Sequence, residues 1–130
     1  MDSKEEKKAW SIVKRAQSFT HAFRGMYVFV RTTENFLVIH LPIYIILVIL
    51  GFYFHISSFE WISLVFTIGF MLISEVFNTA FEIDIDLTSP EYHPYARDTK
   101  DVAAAAVVLS GFIAVIVSLI IFLPKIWAMI

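Results

Sequence analysis

The chain has 130 residues, a net charge of −2, 58% hydrophobic residues and a mean hydropathy of +0.74. A soluble domain of this size has too much surface for its volume to bury so much apolar side chain, which excludes a soluble enzyme, a disordered chain and a nucleic-acid-binding domain. The absence of cysteine excludes disulfides, thiol catalysis and cysteine-based metal sites.

Residues 7–33 have the pattern of an amphipathic helix. Apolar side chains from Trp10 to Val30 recur at roughly helical spacing, and six Lys and Arg residues lie among them. Such a helix lies in the membrane interface, with its basic groups near anionic headgroups. The alternative is a cytosolic tail that packs on nothing.

Three apolar stretches follow, and each is long enough to span a bilayer. They predict transmembrane helices at residues 36–54, 59–82 and 101–123. Two histidines, His40 and His55, lie near the ends of the first span, and we interpret them as residues of the membrane interface rather than catalytic groups. The predicted fold is therefore an all-α integral membrane protein with a surface helix and three spans.

The positive charges predict the orientation of the chain. Seven of the ten Lys and Arg residues precede the first span, the 55–60 turn has none, and the 83–101 segment has Arg97 and Lys100. By the positive-inside rule, the N-terminus and the 83–101 segment are cytoplasmic.

One carboxylate, Glu75, lies inside the second predicted span. A charged side chain at the bilayer centre costs about 2.5–3.5 kcal/mol on insertion scales, and an ionisable group inside a membrane is a functional hypothesis by default. We therefore expect Glu75 to act as a general base. The alternative is a structural hydrogen bond between helices.

Three polar residues continue the same helix face toward the polar segment. At about 100° per residue, Glu82 and Asp86 fall within about 20° of the line through Glu75, and Asn78 falls about 60° from it. Stacked carboxylates repel each other, and a hard divalent cation such as Mg²⁺ relieves that repulsion while also binding phosphates. A solvated helix face would explain Asp86, but not Glu75.

The segment before the third span carries groups that suit a nucleotide. Lys100 can reach a phosphate as a point charge, whereas Asp101 next to it could be only the N-cap of the span. Glu91, Tyr92 and His93 offer hydrogen-bonding groups and an aromatic face, although His93 could equally be a surface histidine.

Small residues recur at every fourth position in the third span. Ala106, Ser110, Ala114 and Ser118 would allow a close approach between helix backbones. Because three helices are few to enclose a site, we interpret this stripe as an oligomer contact.

Two motifs resemble the signature of the prokaryotic diacylglycerol kinase and undecaprenol kinase family. Residues 75–82 match the family pattern E-x-x-N-[ST]-A-x-E, and residues 100–107 match K-D-x-x-[AS]-A-A-V. The resemblance implies a small homotrimeric lipid kinase of the bacterial cytoplasmic membrane, with a surface helix, three spans in each subunit and sites shared between neighbouring subunits. It also implies the reaction, in which the γ-phosphate of Mg-ATP passes to a lipid hydroxyl.

By matching motif, the resemblance implies a role for each polar residue. Glu75 would accept the proton of the lipid hydroxyl, Asn78 would orient the phosphates or the base, and Glu82 would hold Mg²⁺. The upstream cation that contacts ATP would be Lys14 or Arg15. The remaining ATP-binding residues would be Asp86, Glu91, Tyr92, His93, Lys100 and Asp101.

The chain departs from the family pattern at the second metal ligand. The family has a glutamate eight residues after the glycine that matches Gly25; here that position is Thr33, and Glu34 follows. We expect Glu34 to complete the Mg²⁺ site with Glu82. This shift requires a local slip or a helix end between Gly25 and Asn35, and Thr32 and Thr33 favour an end because they are β-branched and weak helix formers.

These features predict one membrane lipid-kinase domain over residues 1–130. The expected reaction is ATP- and Mg²⁺-dependent phosphorylation of undecaprenol at the cytoplasmic membrane face, and the alternative acceptor is diacylglycerol. A non-catalytic membrane trimer on the same scaffold is a further alternative, favoured by Thr33 and opposed by the intact motif residues. The expected partners are a membrane lipid, ATP and other copies of the chain, with no nucleic acid.

Overall fold

The structure is a computed structural model that describes residues 12–33 and 35–130. All regular secondary structure in these residues is helical. The chain divides into two compact units, and the second begins at Asn35. The elements in chain order are α1 (Ile12–Thr32), a π-helix (Phe36–His40), α2 (Leu41–Tyr53), α3 (Ser58–Thr88) and α4 (Pro94–Trp127).

The first unit contains α1, whose last residue is Thr32. A helix end at this point is what the two adjacent threonines predict, because β-branched side chains are weak helix formers. The beginning of the predicted 7–33 helix, at residues 7–11, lies outside the described residues, and so does the expected metal ligand Glu34.

Three helical segments of the second unit are long and apolar enough to cross a membrane. The π-helix and α2 together form the first, Phe36–Tyr53, and α3 and α4 form the other two; an 18-residue stretch in each has a mean hydropathy of 2.4, 1.7 and 3.0, respectively. Many large apolar side chains on these helices are exposed in the single chain, as expected where lipid tails are the solvent. The helices confirm the predicted all-α fold and fit an integral membrane protein.

Two of these helices run well beyond the apolar stretches that the sequence marks. The stretch at 59–82 begins one residue after the beginning of α3, which continues to Thr88, and the stretch at 101–123 is the central part of α4, which begins at Pro94. The polar residues between the two predicted spans are therefore mostly helical. Proline suits the first turn of α4, where its missing N–H would have no partner in the helix.

Helices α3 and α4 pack along each other more extensively than any other helix pair in the described residues. Leu64 and Met71 of α3 are buried, and so are Ser110 and Ala114 of α4. The structure thus corrects the interpretation of the small-residue stripe as an oligomer contact for two of its four residues. Ser110 and Ala114 are buried within one chain, where small side chains let two backbones approach closely, whereas Ala106 is exposed.

The turn between α2 and α3, at residues 54–57, closes one end of the second unit, which we call the turn end. The Ser57 hydroxyl accepts a hydrogen bond from the Glu60 amide at 3.3 Å, and the Glu60 carboxylate accepts one from the Ser57 amide at 2.7 Å. This capping box fixes the beginning of α3. Glu60 also forms an ion pair with Lys125 of α4 at 2.7 Å, which ties the two helices together.

Gly51 allows α2 to approach α3 closely near the turn end. A β-carbon at this position would lie 2.7 Å from Cη2 of Trp61 and 3.2 Å from Cδ1 of Ile56. The first distance is well inside van der Waals contact, so any larger residue at position 51 forces the indole ring to move.

We predict that Gly51→Ala destabilises the fold by about 1–3 kcal/mol, because the added methyl group overpacks this contact. The measurement is reversible unfolding by SDS in mixed micelles. The matched control is Gly69→Ala in α3, where a β-carbon would meet no described atom within 4 Å and alanine is the better helix former. Equal unfolding midpoints for the two variants would contradict this account of the α2–α3 contact.

Candidate active site

Glu75 lies within the apolar part of α3, and only 5% of its surface is exposed. Its Oε1 atom lies 3.1 Å from Nε2 of His40. Because an unpartnered polar group inside a membrane costs several kcal/mol, this contact is what allows the carboxylate to remain in the span. The pair joins α3 to the beginning of the first membrane-crossing segment.

His40 is the last residue of the five-residue π-helix. Its ring stacks on the ring of Tyr44, with centroids 6.3 Å apart and planes inclined by 28°, and Phe36 packs against Tyr44 with centroids 6.5 Å apart. The structure corrects the interpretation of His40 as a residue of the membrane interface alone. Sequence reasoning missed its role because nothing in the residue order specifies the π-helical register that directs it to Glu75.

Asn78 and Glu82 form a second polar contact on the same helix. The Asn78 amide nitrogen donates to Glu82 Oε1 at 3.0 Å, and the Glu82 side chain is exposed. The amide oxygen of Asn78 is buried and has no hydrogen-bond partner in the described part of the chain. It therefore remains able to accept a hydrogen bond or to bind a cation.

Buried polar atoms without a partner are concentrated around Glu75. Within residues 12–33 and 35–130 they are His40 Nδ1, the Tyr44 hydroxyl and Asn78 Oδ1. His40 touches Glu75, Tyr44 stacks on His40, and Asn78 lies one helical turn from Glu75. Buried polar groups in native proteins are nearly always hydrogen-bonded, so this cluster is where a polar ligand or another chain would supply the missing partners.

The loop at residues 89–93, between α3 and α4, lies beside a cavity of about 410 Å³, a volume within the range of small-molecule sites. We call this side of the second unit the loop end. Six residues that the sequence analysis assigns to ATP binding line the cavity together, namely Asp86, Glu91, Tyr92, His93, Lys100 and Asp101. The structure thus brings this entire set to one place.

Charged side chains of both signs are paired along the cavity wall. The Lys100 ammonium donates to the Asp86 carboxylate, and the Arg97 guanidinium lies 3.6 Å from Asp101. Arg97 also lines the cavity, although the sequence analysis gave it no site role. Helical spacing could have identified Arg97, because it precedes Lys100 by three residues and so lies on nearly the same face of α4.

His93 has a structural role in addition to lining the cavity. It is the N-cap of α4, and its Nδ1 accepts a hydrogen bond from the Tyr95 amide at 3.2 Å. Side chains that accept from the first amides stabilise a helix N-terminus. The bond leaves Nε2 as the ring atom that can meet a ligand, and it fixes the direction of the ring.

Other predicted site residues are not brought to this cavity. Glu75, Asn78 and Glu82 are not among the residues that line it. Along α3, Glu75 and Asp86 are eleven residues apart, which corresponds to about 16 Å at 1.5 Å per residue. Glu82 lies between them on the same side, so a single chain leaves Glu75 and the cavity apart. Arg15 belongs to the first unit.

The donors on α3 suit Mg²⁺. The described residues contain no cluster of three or more His, Asp or Glu side chains that would bind a metal by themselves. Glu82 supplies an exposed carboxylate, and the Asn78 amide that donates to it holds it in place. Mg²⁺ typically takes one or two carboxylates and completes its octahedron with waters and substrate phosphates, so this donor set fits the ion.

An apolar groove of about 620 Å³ reaches His40, the partner of Glu75, although Glu75 itself does not line it. His40 is one of its lining residues, and so are Ile43 and Leu47 of α2. Most of the remaining lining residues are apolar, including Met71, Val108, Phe112, Val115 and Leu119. The groove therefore offers a hydrocarbon chain a path along the helices to His40.

Comparison with known proteins agrees with this arrangement. The sequence model of a family described as prokaryotic diacylglycerol kinase matches residues 20–122. The chain belongs to the prokaryotic diacylglycerol kinase family. Membership makes it a lipid kinase, a membrane-embedded transferase of lipid metabolism for which ATP is the phosphoryl donor.

Two relatives are named for different lipid acceptors. The chain is 38% identical over 125 residues to an undecaprenol kinase of Bacillus subtilis, and the match covers 96% of this chain and 99% of that protein. It is 33% identical over 120 residues to a diacylglycerol kinase of Synechocystis sp., covering 91% of this chain and 68% of that protein. These family relationships support the resemblance inferred from residues 75–82 and 100–107.

Proposed function

We propose that this lipid kinase phosphorylates undecaprenol and that Glu75 is the general base that activates the lipid hydroxyl. The observation that carries the proposal is a buried carboxylate paired with His40, which itself lines an apolar groove. A long isoprenoid alcohol in that groove would present its hydroxyl at Glu75. The Bacillus subtilis relative, matched over 99% of its length, favours this acceptor.

In the proposed reaction, the Glu75 carboxylate accepts the proton of the lipid hydroxyl, and the hydroxyl oxygen attacks the γ-phosphorus of ATP. The new phosphorus–oxygen bond forms as the bond from the γ-phosphorus to the β,γ-bridging oxygen breaks. That oxygen leaves on ADP with the bonding electron pair. Phosphoryl transfer depends on positioning and charge neutralisation more than on covalent chemistry, and we assign the orientation of the phosphates to Asn78.

The loop-end cavity is the proposed nucleotide site. Lys100 provides a point charge for the phosphates, and its ion pair with Asp86 holds it at the wall of the cavity. Tyr92 offers an exposed ring on which a base can stack. Glu91, His93 and Asp101 supply further polar contacts, and Arg15 or Lys14 contributes a cation from the N-terminal region.

The metal site that we propose consists of Glu82 and Glu34. When bound there, Mg²⁺ would neutralise negative charge on the β- and γ-phosphates. Glu82 is exposed and is held by the Asn78 amide, so its carboxylate is oriented before a nucleotide binds. Glu34 enters the proposal from the family pattern, because it follows the position where the family has its second metal-binding glutamate.

We further propose that the working enzyme is a homotrimer with sites shared between neighbouring subunits. In one chain, the residues around Glu75 and those at the loop-end cavity line different places, which is the arrangement expected if a neighbour completes each site. The proposed protein is one domain over residues 1–130 in a bacterial cytoplasmic membrane. Its amphipathic N-terminal helix would lie on the cytoplasmic face, where the Lys and Arg residues are concentrated.

Diacylglycerol is the second candidate acceptor, since the Synechocystis relative carries that name. The acceptor would then become phosphatidic acid by the same transfer at Glu75. A non-catalytic membrane trimer is the remaining alternative. Against it, Glu75, Asn78 and Glu82 are all present, and so are Lys100 and Asp101.

We predict that Glu75→Gln lowers phosphoryl transfer by about 10²–10⁴-fold, the usual effect of losing a general base. The amide preserves the shape of the side chain, so ATP binding and the oligomeric state should remain. The measurements are transfer of label from ATP to lipid, nucleotide binding and cross-linking. Asp84→Asn is the matched control, because it also replaces a carboxylate by an amide, at an exposed position of α3. Activity of Glu75→Gln within a few-fold of wild type would make Glu75 a structural residue.

We predict that Glu34→Gln raises the Mg²⁺ concentration needed for half-maximal turnover, because it removes one of two carboxylates from the ion. Thr33→Val changes the position that the ungapped family pattern assigns to the metal and should leave the requirement unchanged. The measurement is turnover as a function of Mg²⁺ concentration. An unchanged Mg²⁺ requirement in Glu34→Gln would show that the one-residue shift is wrong.

A further inference from the structure

We propose that His40 is the positioning residue of the general base, and that its imidazole holds the Glu75 carboxylate in the orientation that proton transfer requires. This inference rests on the proposed role of Glu75. His40 does not take part in bond making or breaking; it acts through the carboxylate.

The contact is a hydrogen bond between two membrane-crossing segments. His40 Nε2 lies 3.1 Å from Glu75 Oε1, and the two side chains are 18% and 7% exposed. Since an ionised carboxylate only accepts hydrogen bonds, the imidazole is the donor and carries its hydrogen on Nε2. Oε1 is thereby occupied, and Oε2 is the atom left to accept the proton of the lipid hydroxyl.

The imidazole is itself held from several sides. The π-helix ends on His40, and π-helical segments are rare and frequent at functional sites. The ring stacks on Tyr44, which is buried and packs in turn against Phe36. A rigid donor from another helix therefore restrains a glutamate side chain that has three rotatable bonds.

His40 also connects the base to the lipid path. It is a lining residue of the 620 Å³ apolar groove, and its Nε2 contacts Glu75. A hydrocarbon chain in the groove would therefore bring its hydroxyl to His40, next to the carboxylate that His40 orients. Orienting a base and its substrate in advance lowers the barrier by removing unproductive arrangements.

A purely structural role for His40 makes a different prediction. If the imidazole only satisfies a buried carboxylate, its loss should lower the stability of the whole protein and leave the kcat of the folded fraction unchanged. If it positions the base, its loss should lower kcat while the KM values for ATP and lipid stay the same. The kinetic constants of the folded protein therefore separate the two roles.

The experiment compares His40→Gln, His40→Asn and His40→Leu in the full chain. The amide nitrogen of glutamine reaches about as far from Cα as Nε2 does, so it can donate to Glu75, whereas that of asparagine reaches only about as far as Nδ1. Leucine has no donor. The matched control is His55→Asn, the same substitution at an exposed histidine of the turn end with φ of 48°, a conformation that asparagine tolerates.

We expect His40→Asn and His40→Leu to lower kcat by about 10–100-fold, since a misplacement of about 1 Å can cost about 10²-fold. The KM values for ATP and lipid should change little. His40→Gln should stay within a few-fold of wild type, and His55→Asn should equal wild type. If the leucine variant does not fold, the comparison between the two amides decides the matter.

Wild-type kcat in His40→Asn, or an equal loss of kcat in the Gln and Asn variants, would overturn the positioning role. Failure of this inference is distinguishable from failure of the proposed function. Full activity in Glu75→Gln would show that Glu75 is not the general base. An inactive Glu75→Gln together with fully active His40 variants would refute only the positioning role of His40.

Discussion

A carboxylate inside an apolar membrane span needs a polar partner, because lipid supplies none. Glu75 meets this constraint through His40, and much of the structure follows from that contact. The π-helix directs the imidazole, the stack with Tyr44 and Phe36 holds its ring, and the first membrane-crossing segment is thereby tied to α3. The unpartnered polar atoms that remain lie around the same pair, where a substrate hydroxyl can use them.

Helix α3 connects the two halves of the candidate site. It carries the buried base, continues past the apolar stretch with Asn78 and Glu82, and reaches the loop end at Asp86. The separation of about 16 Å along this helix keeps Glu75 apart from the loop-end cavity within one chain, which agrees with the proposal that neighbouring subunits share each site. The helical turns beyond the apolar stretch extend α3 to Thr88, and in our proposal they carry residues that bind the nucleotide and the metal.

The sequence predicted the parts of this arrangement that depend on composition and on α-helical periodicity. Charge-free stretches indicated three spans, the lone carboxylate among them indicated Glu75, and spacing placed Glu82 and Asp86 on one face. It did not predict the partner of Glu75. A π-helix changes the register of the residues before α2, and no residue pattern in the sequence predicts that π-helix. Two residues of the small-residue stripe, Ser110 and Ala114, were assigned to the wrong contact, because their spacing is the same whether the helix packs on its own chain or on a neighbour.

The central claim is that this chain moves a phosphoryl group from ATP to the hydroxyl of a lipid that reaches Glu75 through an apolar groove. Purified protein in mixed micelles, given ATP labelled at the γ-phosphate and offered undecaprenol and diacylglycerol in parallel, tests it most directly. The account predicts label in undecaprenyl phosphate, with diacylglycerol the poorer acceptor. Label in neither lipid, from protein that is folded and binds ATP, would contradict it.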